Sequence, residues 1–312
     1  MPVSSYRSLG ARIALLAGVG FASLGLSACA TSGRTVPGGS GPVRVVAAEN
    51  IWGDLAAQVG GADVRVHNII NSPDADPHDY EPSTADGTAI HSAALVILNG
   101  VGYDGWAGKL IAANGVAAER VLNVGDVTAH VPGDNPHRWY SPADVNIVID
   151  NLVSRLSAVD PTQASEFRTG AAHYRTGPLS RYTDLIATIR AQYAGVPIGA
   201  SESIVAPMAD ALGLVVKTPA SFLSAISEGG EPTIQDKQTI DRQIARREIK
   251  VYVYNSQNAT PDVARQVSAA RANSIPVVTF TETLTPAGST FVDWQVRQLE
   301  ALRAALASVA GR

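Results

Sequence analysis

Six histidines are few enough to weigh one at a time for a role in chemistry. His67 falls within an apolar stretch with strand character and reads as structural. His91 lies in a turn between a helix and a strand, His130 in a loop and His173 on a helical segment. All three read as surface imidazoles. His78 and His137 differ, because a proline directly precedes each. His78 stands in Ser72-Pro73-Asp74-Ala75-Asp76-Pro77-His78-Asp79-Tyr80-Glu81-Pro82, and His137 in Asn135-Pro136-His137-Arg138-Trp139. Proline fixes its own φ and biases the residue before it to extended backbone, so both rings sit on stiff chain. Stiff chain suits a metal ligand, since little ordering entropy is left to lose when an ion arrives. Two ordinary stiff loops with exposed imidazoles would carry the same pattern, and the loops alone do not decide.

The elements that must position these loops follow from apolar periodicity. Short apolar runs at 45–48, 64–70, 94–98 and 120–124 alternate with helical patterns that begin near Ile51, Ser83 and Gly105. A second series has strands at 197–200, 215–217, 250–254 and 276–280. Its helices lie near 204–212, 233–247, 261–272 and 291–309. Alternation of this kind predicts an α/β fold: two lobes, each a mostly parallel sheet flanked by helices. Ser83 with Asp86, Ser141 with Asp144 and Thr233 with Asp236 have the spacing of helix N-caps, and Pro142 takes the favoured first helical position. No internal repeat is visible at the level of residues. Between the series, residues 161–194 carry apolar Phe167, Ala171, Tyr174, Leu179, Tyr182, Leu185 and Ile189, the spacing of one long connecting helix. Pro178 sits in its middle, where it removes a backbone hydrogen bond, so a kink or break is expected at Gly177-Pro178.

Composition closes off several classes. The chain has 312 residues, 46% hydrophobic and 17% charged, which is globular and long enough for about two domains. A net charge of −4 argues against nucleic acid as a partner. The single Cys excludes an internal disulfide framework and a cysteine-rich zinc site. That Cys29 follows a basic start (Arg7, Arg12), an apolar run of about 14 residues and Leu26-Ser27-Ala28. Such a run is too short to span a bilayer and suits a signal peptide. Together these resemble a bacterial lipobox, which implies a signal peptide over 1–28, cleavage before Cys29 and lipid on its sulfur. Residues 29–43, rich in Gly, Ser, Pro and Thr, read as a flexible tether. The lobes then occupy 44–160 and 195–312, held outside the cytoplasm by a membrane anchor.

Three blocks carry a wider resemblance: Asp76-Pro77-His78-Asp79-Tyr80-Glu81-Pro82, then Asn99-Gly100-Val101-Gly102-Tyr103-Asp104-Gly105-Trp106, then Pro136-His137-Arg138-Trp139. In order and spacing the chain resembles the zinc/manganese solute-binding lipoproteins of bacterial ABC importers, the TroA-like family. The resemblance implies a periplasmic-binding-protein-like fold with a helical backbone and one divalent ion held in the cleft. It implies a monomer working with an ABC permease and its cytoplasmic ATPase, and no enzymatic activity. It places ligands at His78 and His137, at Glu202 in the Ser201-Glu202-Ser203 turn, and at Glu282 in Thr281-Glu282-Thr283. The last is a departure, since the family usually has Asp there. From the residues alone, neither glutamate stands out above Glu228, Glu231 or Asp210. Their loops follow predicted strands, however, where open α/β sheets bind ligands.

Two imidazoles and two carboxylates balance a divalent charge. Imidazole suits zinc and iron, and carboxylates shift preference toward manganese, so Zn2+, Mn2+ and Fe2+ all fit by type. The set leans to manganese, while zinc stands higher in intrinsic affinity. Binding is expected to weaken as pH falls through the ordinary imidazole range near ~6.5, since a protonated ring cannot ligate. Two other readings have a place. An extracytoplasmic metallohydrolase would need an open metal position and a base such as Asp76, Asp79 or Glu81. A surface adhesin would bind host ligands without metal.

Overall fold

The computed structural model describes residues 41–72 and 80–310. The leader, Cys29 and His78 lie outside the described residues.

Val, Ile, Leu and Ala fill the central strands with little alternation, the mark of parallel strands covered on both faces. The first lobe runs β1 (Val43–Glu49), α1 (Asn50–Gly60), β2 (Val64–Ile70), α2 (Thr84–Ser92), β3 (Leu95–Leu98), α3 (Gly105–Ala113), β4 (Val121–Asn123), α4 (Val124–Val127) and α5 (Pro142–Val159). The helices α6 (Ala164–Thr176) and α7 (Pro178–Tyr193) lead to the second lobe. There the order is β5 (Pro197–Ala200), α8 (Ala206–Leu212), β6 (Val215–Val216), α9 (Ala220–Ser227), α10 (Ile234–Ala245), β7 (Val251–Asn255), α11 (Pro261–Ala272), β8 (Val277–Phe280) and α12 (Phe291–Val309).

Both sheets are four-stranded and wholly parallel, in the orders β2-β1-β3-β4 and β6-β5-β7-β8. The lobes therefore repeat one topology, although their residues show no repeat. In each, the chain reverses its winding between the first and third strands, and a crevice opens beyond the carboxyl ends at that point. Edge strand β2 alternates half-buried and exposed residues, with His67 on its exposed side. His67 is thus a solvent-facing strand residue rather than part of the core.

One apolar cluster crosses from lobe to lobe. Tyr140, from the first lobe, stacks on Phe280 at 5.2 Å and 21° and tilts against Trp294 at 5.5 Å. Its hydroxyl lies 2.8 Å from the Thr281 carbonyl and 2.9 Å from Gln298 Oε1. A second cluster, with Phe222, Ile240, Tyr252 and Val263 at its centre, holds α9, α10 and α11 against β7.

The connector is two helices rather than one. The first ends at Thr176, Gly177 departs from helical geometry, and Pro178 opens the second at its first position. The Gly177 carbonyl accepts from both the backbone and the hydroxyl of Ser180. The expected break is present, at the expected residues. At Gly170 the first of these helices meets α1 so closely that a Cβ would sit 2.3 Å from the Val59 carbonyl oxygen.

Ser83 and Asp86 form the complete reciprocal cap of α2. Ser141 caps α5 through the Asp144 N–H, but the Asp144 carboxylate is turned to Arg138 instead of closing the box. Helix α9 has no counterpart in the sequence reading. Its run Ala-Ser-Phe-Leu-Ser-Ala-Ile-Ser lacks an N-cap side chain and is too short to establish a period.

Candidate metal centre

Loops at the carboxyl ends of both sheets bring together three of the four candidate ligands that the resemblance implied. One donor atom each from His137, Glu202 and Glu282 lies within 4.8 Å of the others, and all three residues are buried. His137 comes from the first lobe, and the two glutamates come from turns after β5 and β8. No other such grouping of His, Cys, Asp and Glu occurs among the described residues.

The ring of His137 is oriented by Asn135. Asn135 Oδ1 accepts the His137 backbone N–H at 3.0 Å and faces Nδ1 at 2.9 Å. The Asn135 amide cannot be reversed, since its Nδ2 donates to the Ser203 carbonyl at 2.7 Å. Nδ1 therefore carries the proton in the neutral ring, and Nε2 carries the lone pair that can ligate. Trp139 packs edge-on against this ring at 5.4 Å, and Tyr103 packs edge-on at 6.1 Å.

The two carboxylates are held by a segment that begins at the last residue of β7 and by one phenol. Asn255 Nδ2 lies 2.8 Å from Glu202 Oε1 and 2.5 Å from Glu282 Oε1. Asn258 Nδ2 donates to Glu202 Oε2 at 2.8 Å, and the Tyr103 hydroxyl donates to Glu282 Oε2 at 2.8 Å. Gln257 Oε1 accepts the backbone N–H groups of Glu282 and Thr283. None of these partners was assigned a role from sequence. Asn and Gln in loops are commonplace, and only Tyr103 stood within a quoted motif.

Residues 99–104 present Tyr103 by a constrained turn. Gly100, Val101 and Gly102 all have positive φ, a costly state for β-branched Val101. The Asp104 carboxylate fixes the turn by accepting the N–H groups of Asn99 at 2.6 Å and Gly100 at 2.8 Å. Asn99 bridges Trp52 Nε1 at 3.1 Å and the Pro136 carbonyl at 3.0 Å, which couples this turn to the His137 loop. Beside Asp104 lies Glu49, at the end of β1 and fully buried. Burial, then the Asp104 charge, holds the Glu49 carboxyl well above the ordinary carboxylate range, and burial raises Asp104 as well. A side-chain hydrogen bond between Glu49 and Asp104 also raises the Glu49 carboxyl, since two carboxyls can share such a bond only through a proton.

His130 is not a free surface imidazole. It is half-buried, with Nδ1 3.4 Å from Asp134 Oδ2 and Nε2 3.6 Å from Asp144 Oδ2. Asp144 also pairs with Arg138, the residue after His137. His91 and His173 are exposed. A cavity of about 510 Å³ opens beside the cluster, with Val101, Asn135 and Pro136 on one wall and Ser203, Ser227 and Glu228 on the other.

Donor atoms from both lobes of a two-lobed α/β scaffold thus converge at its cleft. The chain belongs to the family described as the zinc-uptake complex component A, periplasmic (ZnuA), whose family model matches residues 45–305. It is 30% identical over 137 residues to the iron-binding protein YfeA of Yersinia pestis, a match covering 42% of this chain and 44% of YfeA. It is 25% identical over 285 residues to the metal ABC transporter substrate-binding lipoprotein FimA of Streptococcus parasanguinis, covering 85% and 87%. The chain thus spans about half the length of YfeA and most of FimA. The periplasmic zinc-binding protein TroA of Treponema pallidum has a similar fold, with a TM-score of 0.71 and 20% identity. That match covers 85% of this chain and 99% of TroA. Among the described residues, no helix is long and apolar enough to cross a membrane.

Proposed function

We propose that this chain captures a divalent transition-metal ion, zinc or manganese with iron also admissible, outside the cytoplasm. It then delivers the ion to an ABC permease driven by a cytoplasmic ATPase. The observation that carries this reading is the buried convergence of His137, Glu202 and Glu282 from two lobes. One imidazole and two carboxylates match the donor types that first-row divalent ions take. His78, which follows β2 in the sequence, is the fourth ligand of the proposal, and Cys29 carries the lipid that keeps the protein at the membrane. The names of FimA, a substrate-binding lipoprotein, and TroA, a periplasmic zinc-binding protein, support the same reading.

Capture here is binding and release without chemical turnover. His137 offers Nε2 from the first lobe, and Glu202 and Glu282 supply negative charge from the second. The lobes, 44–160 and 195–312, change their separation through the connector at 161–194, and the closed form is what the permease recognises. The protein works as a monomer.

The test is a competition titration of Mn2+ and Zn2+ into metal-stripped protein, followed by the fluorescence of buried Trp139 and by elemental analysis. One tightly held ion per chain is expected, lost in Glu202→Ala and in His137→Ala. Tight binding that survives both substitutions would remove the proposed site. Hydrolysis of a model ester or peptide by the metal-loaded protein would redirect the reading to an enzyme.

A further inference from the structure

The proposed function leaves open how the site chooses among divalent ions, and Asn255 bears on that choice. Its side chain is fully buried at the end of β7. Its Oδ1 accepts the Gln257 backbone N–H at 2.9 Å, which fixes the amide so that both Nδ2 hydrogens face the carboxylates. One hydrogen goes to Glu202 Oε1 and the other to Glu282 Oε1. The backbone of Asn255 is held in turn, its N–H donating to Ser201 Oγ at 3.0 Å. A single rigid amide thus ties together two acidic side chains from different loops.

We propose that Asn255 is a specificity-determining positioning residue, which makes each of Glu202 and Glu282 a one-oxygen donor and so favours a four-coordinate ion over a six-coordinate one. This rests on the reading of the cluster as a metal site. To chelate with both oxygens, either carboxylate must turn about its Cγ–Cδ bond, and the fixed Asn255 amide opposes that turn. The opposite oxygens are engaged as well, by Asn258 on Glu202 and by Tyr103 on Glu282, so neither carboxylate rotates freely. Each described ligand residue then supplies one atom. Zn2+ is satisfied by four donors in tetrahedral array, whereas Mn2+ favours a larger, oxygen-rich, octahedral shell. Denticity, set by an uncharged neighbour, thereby opposes the pull toward manganese that two carboxylates exert by type.

The test uses metal-stripped full-length protein, Co2+ as a coordination probe, and Zn2+/Mn2+ competition. Co2+ in the wild-type protein should show the intense visible bands of a four-coordinate site. Weak bands of a six-coordinate site would overturn the proposal without any variant. In Asn255→Leu, similar in size but without donors, the Zn2+ to Mn2+ affinity ratio should fall at least about tenfold, within the ~10–100-fold range for lost partners of metal ligands. Asn255→Ser, which retains one donor, should fall between Asn255→Leu and wild type, and it is the variant to read if Asn255→Leu does not fold. A folded variant that loses both metals equally, or neither, would show that Asn255 does not set the choice. If the wild-type protein holds one ion that Glu202→Ala releases, the metal reading stands whatever the ratio does. If wild type holds none, that reading fails first.

Discussion

Asn135 and His137 form a closed local ring. The asparagine oxygen accepts both the backbone N–H and the Nδ1–H of a histidine two residues on, while its Nδ2 reaches the opposite lobe at Ser203. One side chain therefore fixes the tautomer of a proposed ligand and ties its loop to the turn bearing Glu202. Partners of this kind are worth ~10–100-fold in metal affinity. Asn135→Ala is expected to weaken binding of Zn2+ by that factor, measured by competition with a chromophoric chelator. Unchanged affinity would mean that packing by Trp139 and Tyr103 suffices to orient the ring.

The Glu49–Asp104 pair gives a prediction in pH. Both carboxyls are raised by burial in the folded protein, so the folded state binds more protons than the unfolded chain once pH exceeds the ordinary carboxylate range. Their contribution to stability is complete below that range and is lost as pH rises through the raised values. Glu49→Gln can still donate from its amide to Asp104 and no longer ionises. The variant should lose the part of the decline in urea midpoint above about pH 4.5 that this pair causes, and should match or exceed wild type near neutrality. A variant as pH-sensitive as wild type would place the titrating group elsewhere, with Asp54, also raised by burial, next to be tested.

Strand positions were legible from short apolar runs in β3 and β5 and from alternation in edge strand β2: 64–70 and 197–200 agree with β2 and β5 at both ends. The break in the connector was legible because Pro178 can do little else than begin a helix. His137 could be singled out by its preceding proline, but Glu202 and Glu282 could not be told from other loop acids without the family resemblance. What stayed hidden is long-range pairing. Nothing local marks Asn255 as the bridge between two glutamates, or Glu49 as the neighbour of Asp104. Helix α9 was hidden for a different reason: a short apolar stretch without a cap has no periodic signal, and its fold is decided by Phe222 and Ile226 docking into the second core cluster.

Tyr140 joins the lobes by ring and hydroxyl at once. Tyr140→Phe retains the stack on Phe280 and removes a fully buried hydroxyl that lies between the Thr281 carbonyl and Gln298 Oε1. The Thr281 N–H still donates to Gln298 Oε1, so the loss falls on the Thr281 carbonyl and costs about 1–3 kcal/mol. Chemical denaturation should report that loss, accompanied by weaker metal binding, because Thr281 precedes Glu282. A loss of stability with unaltered affinity would separate this joint from the site.

The connector gives the last prediction, which concerns how its two helices are anchored. The first is seated on the first lobe, where Gly170 lies against the Val59 carbonyl with no room for a methyl group. The second belongs to the second lobe, with Leu179, Tyr182 and Ile189 in the shared core and Tyr182 edge-on to Phe291 of α12. Gly177 and Pro178 stand between these two attachments. Gly170→Ala must push α6 from α1, an overpacking change that costs ~1–3 kcal/mol. Pro178→Ala occupies a first helical position whose N–H has no intrahelical partner in any case, so its effect should stay within about 0.5–1 kcal/mol. Thermal denaturation of the two variants should therefore differ clearly in one direction. If Pro178→Ala proves the more damaging, the stiffness of the junction matters more than the seating of α6, and the joint between the lobes is set at residues 177–178.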